Sequence, residues 1–203
     1  MAYRLGLLYV GLALYGMAIA MMIRGNLGVD PWDVFHLGLA QHLPLSVGTI
    51  IILMGALLLL LWIPLRQRPG LGTISNVIVI GLATNVGLDL LPEIEHLGAR
   101  TALLVGGVIT NGLATGMYIG AGFGPGPRDG LMTGIVARTG WQIRYVRTGI
   151  ELTVLVVGWI LGGTVGVGTV VYAFAIGPLI QLFLPYFVGQ SRERTLQPKA
   201  SSS

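Results

Sequence analysis

Two carboxylates stand 96 positions apart in matching surroundings: Asp33 closes Gly28-Val29-Asp30-Pro31-Trp32-Asp33, and Asp129 closes Gly124-Pro125-Gly126-Pro127-Arg128-Asp129. Proline suits the first turn of a helix, where its missing N–H would have been unpaired anyway. Pro31 and Pro127 therefore mark two helix starts, with Asp30 or Gly126 at the cap. A carboxylate at the third helical position can reach back to free backbone N–H groups and meets the positive end of the helix dipole. Two uses are open for Asp33 and Asp129. They can cap helices and do nothing more, or they can flank a path, since a carboxylate within a membrane is costly and normally faces a cavity, a partner or a proton route. Arg128 breaks the match, because Trp32 occupies its equivalent place. A guanidinium there can grip an anionic substrate bidentately or neutralise Asp129, Glu151 or lipid headgroups, and the neutralising use is preferred.

Asn85 and Gln181 keep the same offset. Paired amides inside a membrane can hold a polar ligand or bond one helix to another, and adhesion is the commoner use. The candidate substrate path is thus Asp33, Asp129, Arg128, Asn85, Gln181 and Glu151, with Asp30, Pro31, Gly126 and Pro127 as the helix starts. His36 offers a proton relay, because an imidazole is easily moved across neutrality. His36, His42 and His96 have poor spacing for a metal and no acidic or thiolate cluster beside them. The chain has no cysteine, which excludes disulfides and thiol chemistry. It has no Gly-x-Ser-x-Gly elbow and no His-Glu-x-x-His pair. No catalytic residue, metal or cofactor is expected, and the chain is not read as an enzyme.

The elements that must position these groups are written twice. Gly70-Leu71-Gly72-Thr73 returns as Gly166-Val167-Gly168-Thr169, and Ile80-Gly81 as Ile176-Gly177, at the same offset of 96. Leu91-Pro92 and Leu184-Pro185 close the unit. The Gly-rich repeats lack the lysine and strand context of a phosphate loop and read as turns. Of 203 residues, 54% are hydrophobic and 10% charged, against roughly 25% charged in a soluble domain. Six stretches approach the ~20 residues that cross a bilayer: Leu5–Ile23, Val47–Leu65, Thr73–Leu91, Thr101–Ala121, Gly149–Val165 and Thr169–Val188. The fold class expected is all-α: a polytopic membrane protein of six transmembrane helices, built as two three-span repeats each with a short half-helix. One membrane domain covers 1–190, with repeats at about 5–92 and 101–188, and a disordered tail covers 191–203. An odd number of spans per repeat inverts the second against the first, about a pseudo-two-fold axis in the membrane plane. The short segments 31–42 and 127–139 fit either a re-entrant helix, buried in protein, or an interfacial one.

Ten of the twelve Lys and Arg fall in segments on the side of the N-terminus: Arg4, Arg66, Arg68, Arg128, Arg138, Arg144, Arg147, Arg192, Arg194 and Lys199. Only Arg24 and Arg100 fall opposite. This asymmetry puts both termini in the cytoplasm and the chain in a bacterial inner membrane. It also makes the net charge of +4 a matter of topology, with no nucleic-acid partner expected. The expected partners are the lipid bilayer and a small-molecule or ion substrate. Gly112, Gly116, Gly120 and Gly124 form an every-fourth series that admits close helix packing, within the chain or in a homodimer.

The segments Gly28 to Phe35, Gly126 to Met132 and Gly166 to Thr169, with Gly177-Pro178 and Leu184-Pro185, resemble the YczE-like branch of the YczE/YitT family of bacterial integral membrane proteins. That resemblance implies the membrane architecture and carries no catalytic residues. The favoured expectation is a small transporter or permease-like protein using alternating access between inverted repeats. The alternative is a non-transporting scaffold or accessory subunit.

Overall fold

The structure is a computed structural model that describes residues 1–196, with side chains described through residue 188. The described residues form eight helices and no strand: α1 (Ala2–Gly25), α2 (Pro31–Ala40), α3 (Val47–Leu65), α4 (Leu71–Leu90), α5 (Leu97–Gly120), α6 (Pro127–Thr139), α7 (Ile143–Ile160) and α8 (Val167–Leu196). Helix α8 thus runs six residues into the segment expected as a tail, and residues 197–203 lie outside those described.

Both prolines open short helices as their chemistry requires, and Ser46 opens α3 by accepting a hydrogen bond from Thr49 N. Five helices are long and apolar enough to cross a membrane: α1, α3, α4, α5 and the stretch Val167–Val188 of α8. The expected fifth span, Gly149–Val165, is displaced. Helix α7 starts six residues earlier and stops at Ile160, carrying Arg144, Arg147 and Glu151. Arg147 and Glu151 bond each other one turn apart, at 2.8 Å, which suits helix. Gly162 at φ +90° turns the chain after it.

Helices α1 and α5 pack on each other at the centre, with α4 against α1 and α8 against α5. Each short helix crosses to the other half of the chain, α2 lying mainly on α7 and α6 on α3. One pairing has no counterpart. Helix α3 packs along α4, whereas α7 makes no comparable contact with α8.

Glycine makes these approaches possible. A side chain at Gly16 would meet the Ile80 carbonyl and Ala83 of α4, and one at Gly48 would meet the Gly81 carbonyl. Gly112, Gly116 and Gly120 receive Leu179, Phe183 and Phe187 of α8, so that series serves packing within the chain. Gly124 departs from it, sitting in a turn at φ +115°, as Gly28 does at +109°. Only glycine adopts such a backbone without strain.

Hydrogen bonds mark the two ends of the bundle. At one end Arg100 Nε donates to the Gly25 carbonyl, Arg24 pairs with Glu93, Gly168 N donates to Leu27 O, and His42 contacts Leu161 O. At the other, Arg4 Nε donates to Ala121 O, Gly72 N to Phe123 O, and Arg138 to Pro64 O. Helices α1 and α5 therefore run in opposite directions.

Candidate functional site

Between these ends the first turns of α2 and α6 meet. Asp30 caps α2 by accepting from Asp33 N at 2.8 Å. In α6 the cap is Gly126, and its N–H donates to Asp129 Oδ2 at 3.3 Å. The capping carboxylate has moved from the cap in one segment to the third helical position in the other. Capping alone thus accounts for Asp129's place in the first turn and leaves Asp33 to other work.

Asp33 is 0% exposed and Asp30 2%. Asp33 Oδ1 lies 3.0 Å from His36 Nδ1. Arg128 reaches across from α6, with Nη1 3.6 Å from Asp30 Oδ2 and Nη2 3.9 Å from Asp33 Oδ1. Its guanidinium also stacks over the Trp32 ring, 5.0 Å from the centroid, where cation and ring quadrupole attract. The partners weighed from the sequence were Asp129, Glu151 and headgroups. The guanidinium instead joins the two halves, because both short helices begin at the same point. Arg128 accordingly belongs to the centre of the bundle and drops out of the basic residues at its surface.

A cavity of about 310 Å³ lies beside this junction. Its polar lining includes Asp30, Arg128, Asp129, Arg147 and Glu151, and its apolar lining includes Ile51, Ile80, Ile150 and Ile176. Pro31, Gly126 and Pro127 also face it. Arg147 and Glu151 are both partly exposed and neutralise each other at its edge. Asp33 sits behind the lining and touches it through His36 and Arg128.

Asn85 and Gln181 do not join the site. Asn85 Oδ1 accepts from Gly48 N at 2.9 Å and fastens α3 to α4, while Gln181 is exposed. The shared offset was sound, but one member became a helix clasp and the other faces outward, because α7 does not pack on α8 as α3 does on α4.

The aromatic wall went unread in the sequence. Tyr15, Trp32, Tyr118 and Tyr172 all line the cavity. Tyr118 OH donates to Asp129 Oδ2 at 3.3 Å, and its ring meets Tyr15 edge-on with centroids 6.2 Å apart. Tyr172 OH donates to Asn111 Oδ1 at 3.1 Å. A usable signal existed: the residue 96 positions from Tyr15 is Asn111, and the one 96 positions from Tyr172 is Asn76. A comparison seeking identity passes over both exchanges.

The chain matches a family of unknown function, DUF6198, over residues 2–185. It is 36% identical over 179 residues to the uncharacterized membrane protein YczE of Bacillus subtilis, covering 87% of this chain and 83% of that protein. It is also 36% identical over 180 residues to an uncharacterized protein of Haemophilus influenzae, covering 89% and 83%. The uncharacterized protein YyaS of Bacillus subtilis is 26% identical over 191 residues, covering 90% and 95%. No solved structure matches. The chain belongs to the DUF6198 family and is YczE-like.

Proposed function

We propose that this DUF6198 membrane protein is a small transporter, working by alternating access between two inverted repeats of three spans each. The observation that carries the reading is a cavity at the meeting point of two half-helices, with the exposed Arg147 and Glu151 at its edge towards one end of the bundle and the close α3–α4 contact at Gly48 and Gly81 towards the other. Half-helix ends converging on a site near the midplane are the recurrent construction of transporters built from inverted repeats.

Several contacts support the inversion. Gly72 N donates to Phe123 O and Gly168 N to Leu27 O, at 2.9 and 2.7 Å, and each donor and acceptor is matched at the offset of 96. Gly70 N donates to Thr73 Oγ1 as Gly166 N does to Thr169 Oγ1. Helix α7 counts as the sixth span on this reading, because it is the counterpart of α3. The re-entrant placement of α2 and α6 is favoured over the interfacial one by the burial of Asp30, Asp33 and Pro127.

The asymmetry between the repeats supplies the gate. The first half of α3 is locked on α4 through Gly48 and Gly81. The matching half of α7 stands away from α8, leaving Gly177 with nothing against it, and the cavity lies between Arg147 and Ile150 on one side and Tyr172 and Ile180 on the other. Arg4, Arg66, Arg68, Arg138 and Arg144 gather at that open end, against Arg24 and Arg100 at the closed one. The positive-inside rule then makes this the inward-facing state of an inner-membrane protein with a cytoplasmic N-terminus. The outward-facing state exchanges the two interfaces. No covalent step enters the cycle, and the scaffold reading lacks any use for the cavity.

The test uses the cysteine-free chain. A single Ile180→Cys in inverted and right-side-out vesicles is exposed to a membrane-impermeant maleimide. The carrier reading expects reaction from the cytoplasmic face, with the rate changing when candidate solutes are added. A rate fixed under every solute and gradient sinks the carrier and leaves the scaffold.

A further inference from the structure

The sign of the cavity's charge runs against the other use open to Arg128, gripping an anionic substrate. Two carboxylates, Asp30 and Asp33, lie within 4 Å of the one guanidinium, Asp129 is a third acid lining the same cavity, and Arg147 with Glu151 adds nothing net. With all of them ionised, two negative charges are left over. Asp33 Oδ2 is fully buried and has no hydrogen-bond partner. Arg128 is held loosely, with both of its carboxylate distances beyond direct hydrogen-bonding range.

The walls add a second constraint. Four aromatic residues, Tyr15, Trp32, Tyr118 and Tyr172, face the cavity, with isoleucines between them. A hard inorganic cation prefers a shell of oxygens, whereas aromatic faces beside carboxylates recognise an organic ammonium. The volume of about 310 Å³ falls at the low end of small-molecule pockets, so the ligand is small.

Resting on the transporter reading above, we propose that the cavity takes a small organic cation, an ammonium bearing an apolar group, and that Arg128 is the internal cation it displaces. Arg128 already occupies the place such a ligand would take, over the Trp32 ring and between Asp30 and Asp33. The guanidinium of one repeat fills the acidic, aromatic recess of the other. The arriving ammonium takes over Trp32 and the Asp30 carboxylate, and the guanidinium swings aside towards Asp129, the carboxylate on its own helix. The ammonium replaces the guanidinium's charge at Asp30 while the guanidinium stays among the acids, so the exchange adds a positive charge where negative charge is in excess.

This makes an unusual demand on Arg128→Gln. An anion site loses its ligand when its arginine goes, whereas a site where arginine competes with the ligand binds more tightly. The experiment measures equilibrium binding of phenyltrimethylammonium, with benzenesulfonate as the anionic probe of similar shape, to the purified full chain in nanodiscs. The wild-type protein is expected to bind the ammonium and ignore the sulfonate. Trp32→Leu should weaken the ammonium about tenfold or more, on the scale of a desolvated cation–π contact, and Asp30→Asn should weaken it likewise. Arg128→Gln should strengthen it about tenfold. Should that variant fail to fold, judged by its thermal transition, Arg128→Lys gives the same sign, because lysine cannot reproduce the planar stack on Trp32. Binding of the sulfonate, lost in Arg128→Gln, overturns the proposal, as does binding of sodium or potassium with indifference to both organic probes. So does ammonium binding that is unmoved by Trp32→Leu and Asp30→Asn. The ligand class and the carrier reading fail separately. Ammonium binding without flux in proteoliposomes removes the carrier and keeps the site, while flux of another solute with no ammonium binding does the reverse.

Discussion

On the carrier reading proposed above, replacing Gly48 with alanine should turn the protein outward. Gly48 N donates to Asn85 Oδ1 at 2.9 Å, and a Cβ on Gly48 would fall 2.6 Å from the Asn85 amide and inside the surface of the Gly81 carbonyl. The carbonyl is backbone within α4 and cannot swing aside. Restoring van der Waals distance requires the first half of α3 to withdraw from α4 by about 1 Å, and overpacking of this kind costs about 1–3 kcal/mol. The penalty falls only on the state in which α3 is closed on α4. If the outward-facing state has these helices apart, its population relative to the inward-facing one rises by about 5- to 150-fold.

Single cysteines read out both gates. Ile51 lies on α3, 6% exposed, at the position matched by the exposed Arg147 of α7. Ile180 lies on the open side, beside α7. In the Gly48→Ala background, Ile51→Cys should gain reactivity towards an impermeant maleimide from the outer face. Ile180→Cys should lose it from the cytoplasmic face by a comparable factor. Opposite changes at the two sites are the signature of coupled gates. If neither rate moves while the melting temperature falls, the clash has been absorbed locally and the α3–α4 contact is not a gate. If both rates rise together, the bundle has loosened and the reasoning fails in the same way.

The matched amides should behave differently: Asn85→Ala is expected to cost about 1 kcal/mol through the lost bond to Gly48 N, and Gln181→Ala less than about 0.5, both measured by unfolding in detergent. Trp62, 1% exposed, donates from Nε1 to Pro127 O and covers Gly130. Trp62→Ala should therefore destabilise by about 3–5 kcal/mol, the largest effect of any single truncation considered, seen as a lowered thermal transition. Gly158→Leu should separate α7 from α2, because a Cβ there would meet the Val34 and Phe35 backbone. It should expose Phe35→Cys to reagent from the outer face, and an unchanged labelling rate would show that α2 holds to α3 alone.

The parts of the fold legible in the sequence were those fixed by local chemistry. Proline at a helix start, glycine at a positive φ and an apolar run of spanning length each dictate structure within a few residues. On that footing the starts of α2 and α6, and both bounds of α3, could be read directly. Helix α7 begins before the apolar run that marks the fifth span, because Arg147 and Glu151 satisfy each other along the helix. At the site, Asp30, Arg128, Asp129 and Glu151 could be found by asking which charges lie in apolar sequence. Their partners could not, since the Arg128–Asp30 contact depends on how two segments 98 positions apart meet. That depends on the docking of α2 and α6 across the halves.

The hardest residues to read were those the repeat does not conserve, and geometry explains why they differ. Trp32 and Arg128 occupy equivalent positions yet stack on one another. On the inverted-repeat reading, two equivalent residues in mutual contact lie at the pseudo-axis. A pair there has to be complementary, because two arginines would repel and two tryptophans would leave Asp30 and Asp33 without the guanidinium between them. The same logic separates Trp62 from its equivalent, Gly158. Trp62 fills the recess over Gly130, whereas Gly158 receives the backbone of α2 at Val34, the equivalent of Gly130. The bulky residue is on the long helix at one interface and on the short helix at the other, so each interface fills without both sides being large. Making the sites alike by Arg128→Trp should therefore destabilise the protein, even though it improves the sequence symmetry. Full stability in that variant, measured by thermal unfolding in detergent, would show that positions 32 and 128 do not share an axis.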